Sequence, residues 1–171
     1  MILQKKDVIY VVTYDDRTLI KKVIFQNGVL LDLLPDVLEL IYVYRQNSGV
    51  SAEAGGMLIG YENKRTGNFT ISGATEPQPS DIRTRISLFL GIQHKRILQN
   101  LEPPYGYIGT WHTHPSEVPS PSSSDLKDWK QSIKHNKDST SALIFIIAGI
   151  QGFRIWLYES ITETLYEGDI L

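Results

Sequence analysis

Apolar residues form runs of strand length in the C-terminal two thirds of the chain. The unbroken run Leu143–Ile147 predicts a strand that is covered on both faces. Other runs are bounded by glycine, asparagine or proline, which are typical of strand ends and turns. The predicted strands are Met57–Tyr61, residues 69–75, Tyr105–His114, Leu143–Ile147 and a final pair at residues 153–158 and 162–167.

The first thirty residues are also rich in strand-forming residues. Residues 8–14 and 18–25 contain valine, isoleucine, tyrosine and phenylalanine, with the polar stretch Asp15-Asp16-Arg17 between them. Two such runs around a short polar turn predict a β-hairpin. We expect this hairpin to be an N-terminal extension, either at the edge of the main sheet or as a separate flap.

Three segments have the spacing of apolar residues that is typical of helices. Pro35–Gln46 begins with a proline suited to a first turn and ends at Asn47-Ser48-Gly49. Ile86–Leu101 is the second predicted helix, and Pro103-Pro104 follows it. The third helix begins near Ser122, and its apolar stripe consists of Leu126, Trp129 and Ile133. Helices interleaved with strands predict a single α/β domain, residues 1–171, with a mixed sheet flanked by helices.

The composition excludes several kinds of site. The chain of 171 residues has no cysteine, so disulfides, thiolate metal sites and a cysteine nucleophile are excluded. A net charge of −2 gives no indication of a nucleic-acid partner. No window contains the 18 or more apolar residues of a membrane span, and we expect a cytoplasmic protein with no membrane partner.

Two of the four histidines lie two residues apart in the strand Tyr105–His114. Strand alternation points His112 and His114 to the same face. The alternation predicts one face with Tyr107, Gly109, Trp111 and Thr113, and another with Ile108, Thr110, His112 and His114. Two histidines and one carboxylate, with a fourth position for water, form a catalytic zinc site. Two histidines that form only local hydrogen bonds are the alternative, and the spacing leaves both interpretations open.

Two acidic residues have alternative interpretations. Asp125 has the position of an acid in the first turn of a helix whose N-cap is Ser122. This position does not prevent Asp125 from binding a metal. Glu53 lies before a glycine-rich strand. It can be interpreted either as a solvated loop acid or as a general base. We interpret His94, within the second predicted helix, and His135, near a helix C-terminus, as structural.

Together these residues form a motif that resembles that of the JAMM, or MPN-plus, metallopeptidase family. The motif consists of Glu53, then His112-x-His114-Pro115, then six residues, then Ser122-x-x-Asp125. The resemblance extends over residues 35–167, the family core, and leaves residues 1–30 outside it. The flanking residues that also resemble the family are Gly55-Gly56-Met57-Leu58-Ile59-Gly60 and Gly109-Thr110-Trp111.

The resemblance implies a fold similar to that of cytidine deaminases. It implies that His112, His114 and Asp125 bind one zinc ion per chain, that Glu53 is the general acid and base, and that Ser122 stabilises the oxyanion. The implied reaction is hydrolysis of an isopeptide or peptide bond after the C-terminus of a ubiquitin-like or other conjugated protein. Family members bind that C-terminal tail beside a strand.

The stretches Trp111–Pro115 and Pro121–Trp129 look especially similar to compact bacterial members of the family. These include members from antiphage operons such as CBASS and from bacterial ubiquitin-like conjugation systems, which implies operon-encoded conjugation enzymes as partners. Two other functions stay open at this point. One is a non-catalytic MPN-type scaffold, and the other is a DNA-repair-associated relative with a similar motif.

Overall fold

Eleven strands and three helices are present in residues 12–171, the part of the chain that the computed structural model describes. In chain order they are β1 (Val12–Thr13), β2 (Lys21–Phe25), β3 (Leu30–Leu33), α1 (Pro35–Tyr44), β4 (Gly55–Glu62), β5 (Phe69–Ala74), β6 (Ile82–Arg83), β7 (Leu88–Phe89), α2 (Ile92–Leu98), β8 (Gly106–Thr113), α3 (Ser123–Asn136), β9 (Ala142–Ala148), β10 (Gly152–Glu159) and β11 (Thr164–Ile170).

Nine of the strands form one mixed sheet, as the sequence predicts. Its order is β1-β10-β11-β2-β3-β5-β4-β8-β9, and β9 also pairs with β10. This last pairing closes eight strands into a ring, with β1 as an additional strand beside β10. The pairs β3–β5 and β8–β9 are parallel, and the other pairs are antiparallel. Strands β6 and β7 form a separate two-stranded hairpin.

Helices cover the two faces of the sheet. Val37, Leu38 and Ile41 of α1 belong to the larger core cluster. On the opposite face, Trp129 of α3 stacks on Phe145 with ring centroids 4.5 Å apart. All seven residues of β9 are buried, which confirms the prediction of a strand covered on both faces. None of the helices in residues 12–171 has the length and apolar character that crossing a membrane requires.

The predicted N-terminal hairpin is wrong over the residues that the structure describes. Residues 8–11, part of its first predicted strand, lie outside them. Val12 and Thr13 pair with the start of β10, and β2 pairs with β11 and β3. Val23 and Phe25 of β2 are fully buried in the larger core cluster. Burial against distant strands thus determines these pairings, whereas the local turn signal at Asp15-Asp16-Arg17 does not.

The second predicted helix is wrong in its first third. Residues 86–91 are not helical, and Leu88–Phe89 pairs with Ile82–Arg83 as the β6–β7 hairpin. The helix begins only after Gly91, whose N–H donates to the Asp81 carboxylate at 2.7 Å. A side chain at position 91 would collide with Ser80, so glycine is required where the start of α2 approaches the segment that contains Ser80.

The predicted alternation along β8 is interrupted at Gly109. Its φ is +145°, and the pairing of β8 with β4 shifts register beside it. Ile108 and Trp111 therefore face the same core cluster, although the sequence pattern assigns them to opposite faces. Such a bulge adds one residue to a strand and reverses the alternation on one side of it. The alternation beyond the bulge, which contains His112 and His114, is as predicted.

Candidate metal centre

His112 of β8 and His114, which directly follows the strand, meet at the end of β8. Their Nε2 atoms are 3.1 Å apart, and the side chains are mostly buried. Strand β8 lies between β4 and β9, and the N–H of His114 donates to the carbonyl oxygen of Ala148. These ladders fix the strand on both sides, so the two imidazoles are positioned by the sheet itself.

Asp125 reaches both histidines from the first turn of α3. Its Oδ1 is 3.2 Å from Nε2 of His112, and its Oδ2 is 3.3 Å from Nε2 of His114. The same carboxylate completes a capping box with Ser122, whose N–H donates to Oδ2 at 2.6 Å. Burial alone would raise the pKa of Asp125, but the bonds from His112 and His114 and the Ser122 N–H outweigh it and lower the pKa far below its ordinary value.

These three residues fit a zinc ion by the chemistry and spacing of their donor atoms. Zinc binds histidine nitrogen and carboxylate oxygen at about 2.0–2.2 Å in a tetrahedron, which puts neighbouring donors about 3.3–3.5 Å apart. The two Nε2 atoms are 3.1 Å apart, and each lies 3.2 or 3.3 Å from a different oxygen of the Asp125 carboxylate, which approaches that spacing. Three protein donors leave one tetrahedral position for water or substrate.

Glu53 lies beside the histidines, just before β4, with 7% of its surface exposed. Its N–H donates to the carbonyl oxygen of Thr84, and its own carbonyl oxygen accepts from Nε of Arg83. Burial raises the pKa of the Glu53 carboxyl, partly opposed by the nearby charges of His112 and His114. A carboxyl group with a raised pKa is suited to both accepting and releasing a proton near neutral pH.

Two carboxylates thus compete for the role of third ligand. Potential ligand atoms of Glu53, His112 and His114 all lie within 4.8 Å of one another, a grouping that could also hold a metal. Asp125 fits the ligand role better, because one of its oxygens lies 3.2 Å from Nε2 of His112 and the other lies 3.3 Å from Nε2 of His114.

A cleft runs through the site between the β6–β7 hairpin and α3. It consists of two cavities of about 510 and 480 Å³. Both are lined by Glu53, Leu88, Asp125 and Asp128, so they meet beside the candidate metal centre. Ser122 lines the second cavity, and its Oγ accepts the N–H of Asp125. The same Oγ is 3.0 Å from Oγ of Ser124, where either hydroxyl group can be the donor.

Sequence reasoning missed part of this cleft. Leu88 belongs to the segment predicted as the second helix, but it packs over Gly55 beside the site. Gly91 within the predicted helix is the signal that could have separated the hairpin from α2. His94, interpreted above as structural, is fully buried and contacts Thr75 and Asp81 away from the histidine pair. His135 lines the first cavity.

Comparison with known proteins finds relatives in sequence and in fold. The family described as prokaryotic homologs of the JAB domain matches residues 36–158. A protein of Escherichia coli (strain TW11681) named CD-NTase/cGAS isopeptidase is 34% identical over 146 residues, which cover 82% of this chain and 87% of that protein. A protein of the same name from Vibrio cholerae serotype O1 is 30% identical over 137 residues, covering 77% and 83% respectively. A solution structure of a protein from Salinibacter ruber shares the fold, with a TM-score of 0.51, 18% identity and coverage of 81% of this chain and 89% of that one.

Proposed function

Since this chain belongs to the family of prokaryotic homologs of the JAB domain, we propose that it is a zinc-dependent isopeptidase that removes a conjugated protein from its target. The observation that carries this proposal is the convergence of His112, His114 and Asp125 at donor distances, with Glu53 buried beside them. The site also opens into the cleft formed by the two cavities of about 510 and 480 Å³.

His112, His114 and Asp125 would hold the zinc ion. Bound zinc supplies Lewis-acid chemistry, because it lowers the pKa of a water molecule and polarises a carbonyl group. The histidines hold their positions through the ladders of β8, and Asp125 through its capping box. All three ligands are therefore fixed before any ion binds.

Glu53 would transfer the proton that hydrolysis requires. Its carboxylate takes a proton from the attacking water, whose oxygen becomes bonded to the carbonyl carbon. The C–N bond of the isopeptide then breaks, and Glu53 delivers the proton to the departing lysine ε-amine. The products are a free carboxyl group and a free amine, so Glu53 ends the reaction unprotonated, as it began.

Ser122 would stabilise the negative charge that develops on the carbonyl oxygen. Its Oγ already accepts the N–H of Asp125, which fixes the hydroxyl group at the edge of the cleft. The O–H bond can then point to a substrate oxygen. A donor that is oriented before the reaction costs no reorganisation when the charge develops.

The substrate class follows from the named relatives. Both are named for an isopeptidase acting on CD-NTase/cGAS, so we propose that this chain cleaves an amide bond after the C-terminus of a conjugated CD-NTase, in a CBASS system. A ubiquitin-like modifier would present the same chemical group, an extended C-terminus joined to a lysine. We also expect a cytoplasmic location and operon-encoded conjugation enzymes as partners.

Replacement of Glu53 tests this proposal. The reporter conjugate is a CD-NTase whose C-terminal carboxyl group is joined to the ε-amine of a lysine in a fluorescent peptide. We expect the purified wild-type protein to contain one zinc ion per chain and to release the peptide. Glu53→Ala should abolish release and retain zinc, because the three ligands are unchanged.

Glu117→Ala is the matched control, since Glu117 is an exposed acid in the loop between β8 and α3. It should cleave like the wild type. Wild-type activity in Glu53→Ala would contradict the role of Glu53. A zinc-free wild-type protein, or one that leaves both the CD-NTase reporter and a ubiquitin-like conjugate intact, would overturn the proposed function.

A further inference from the structure

Gln46 is a buried polar residue to which the proposed reaction assigns no role. It follows the end of α1, and only 1% of its surface is exposed. Its Nε2 donates to the carbonyl oxygens of Ser51 at 3.1 Å and Arg85 at 2.8 Å. Its Oε1 accepts the hydroxyl group of Thr113 at 2.9 Å. One amide group thus joins three segments that are distant in sequence.

Thr113 connects Gln46 to the candidate metal centre. It is the last residue of β8 and lies between His112 and His114, and its fully buried side chain is on the opposite side of the chain from theirs. Its Oγ1 also accepts the N–H of Ala54 at 2.9 Å, and its own N–H donates to the carbonyl oxygen of Ala54. The residue directly after Glu53 is therefore bonded to Thr113 through two atoms.

The β6–β7 hairpin is the third segment that Gln46 holds. Gln46 binds the carbonyl oxygen of Arg85 in the turn, while Thr84 and Arg83 bind the main chain of Glu53 from the same hairpin. The Glu53 segment has no ladder partner of its own, because β4 begins only at Gly55. Its position depends on hydrogen bonds that end at Gln46, at Thr113 or on the hairpin.

We propose that Gln46 is a positioning residue that, through Thr113 and the β6–β7 hairpin, sets the distance between Glu53 and the histidine pair. This inference rests on the proposed function of Glu53. The histidines themselves do not depend on Gln46, because the β4 and β9 ladders hold His112 and the N–H of His114 donates to the carbonyl oxygen of Ala148. The loss of Gln46 should thus weaken proton transfer and leave metal binding intact.

Gln46→Met tests the proposal, because methionine has a similar shape but no hydrogen-bonding amide. A shift of about 1 Å in a catalytic group lowers the rate about 100-fold. We expect kcat on the reporter conjugate to fall about 10- to 100-fold, with KM and the zinc dissociation constant unchanged. Thr113→Val should have the same effect, and Thr113→Ser, which retains the hydroxyl group, should restore most of kcat.

Hydrogen exchange measured by NMR tests the same proposal without catalysis. In Gln46→Met, the amides of Glu53 and Ala54 should exchange faster, because their acceptors on Thr84 and Thr113 lose support. The amides of β8 should keep their protection. Faster exchange across all of β8 would overturn the proposal, since Gln46 would then support the whole strand.

Thr140→Val is the matched control, because it removes a buried hydroxyl group that bonds Glu62 and Ala142, away from the site. It should leave kcat unchanged. An active wild type together with an equally active Gln46→Met would contradict this inference and leave the proposed function intact. A double variant of Gln46→Met and Thr113→Val should be no slower than either single variant, because both break one network.

Discussion

Ser122 has two roles that make different demands on the same hydroxyl group. As N-cap of α3 it accepts the N–H of Asp125, and in the proposed reaction it donates its own O–H to the substrate. Replacement of a serine cap by alanine costs about 1 kcal/mol of stability, whereas replacement by glycine costs only a few tenths. The loss of an oxyanion donor lowers kcat about 100- to 1,000-fold.

Ser122→Ala and Ser122→Gly should therefore separate these roles. Both variants should lose kcat on the reporter conjugate by about 100-fold. Only Ser122→Ala should lose about 1 kcal/mol in the free energy of unfolding, measured by urea denaturation. Ser123→Ala, at the exposed neighbouring position, is the control and should change neither quantity. A kcat that follows stability across the variants would contradict a direct role for the Ser122 hydroxyl group.

At the scale of elements, Gly109 sets the direction in which the end of β8 faces. Its φ of +145° is unfavourable for other residues, and a Cβ there would collide with the carbonyl oxygen of Ile144. Gly109→Ala should cost about 2–5 kcal/mol in the free energy of unfolding, from backbone strain and overpacking. Gly106→Ala is a control in the same strand, where a Cβ meets nothing within 4 Å, and it should be close to neutral.

Some of these elements can be predicted from the sequence and others cannot. The start of α3 is predictable because Ser122 and Asp125 provide a local capping signal, and its buried Trp129 and Ile133 repeat at helical spacing. The β6–β7 hairpin is not predictable from apolar spacing, because Ile86 and Phe89 are 79% and 68% exposed and are not core residues. The bulge at Gly109 depends on a close approach to β9, which no local pattern indicates.

At the scale of the whole molecule, distant strand pairings assemble the site. Strand β8 carries the histidines, and it is held by β4, which follows Glu53, and by β9, which follows α3. Through the family resemblance, the motif residues predict a metal centre from the sequence. Their distances cannot be read from it, because they depend on a ring that β9 and β10 close far along the chain. The position of Gln46 between three segments has the same origin.

Because the ring buries its core without any metal ligand, we expect zinc to add stability to a protein that is already folded. After chelation, the far-UV circular dichroism spectrum should be unchanged. Free zinc at 100 times its dissociation constant should raise the free energy of unfolding by about 2.7 kcal/mol. His112→Ala should abolish this increase, because one of the three donors is removed. Unfolding on chelation would show instead that the strands depend on the metal, and an equal zinc effect in His112→Ala would place the ion elsewhere.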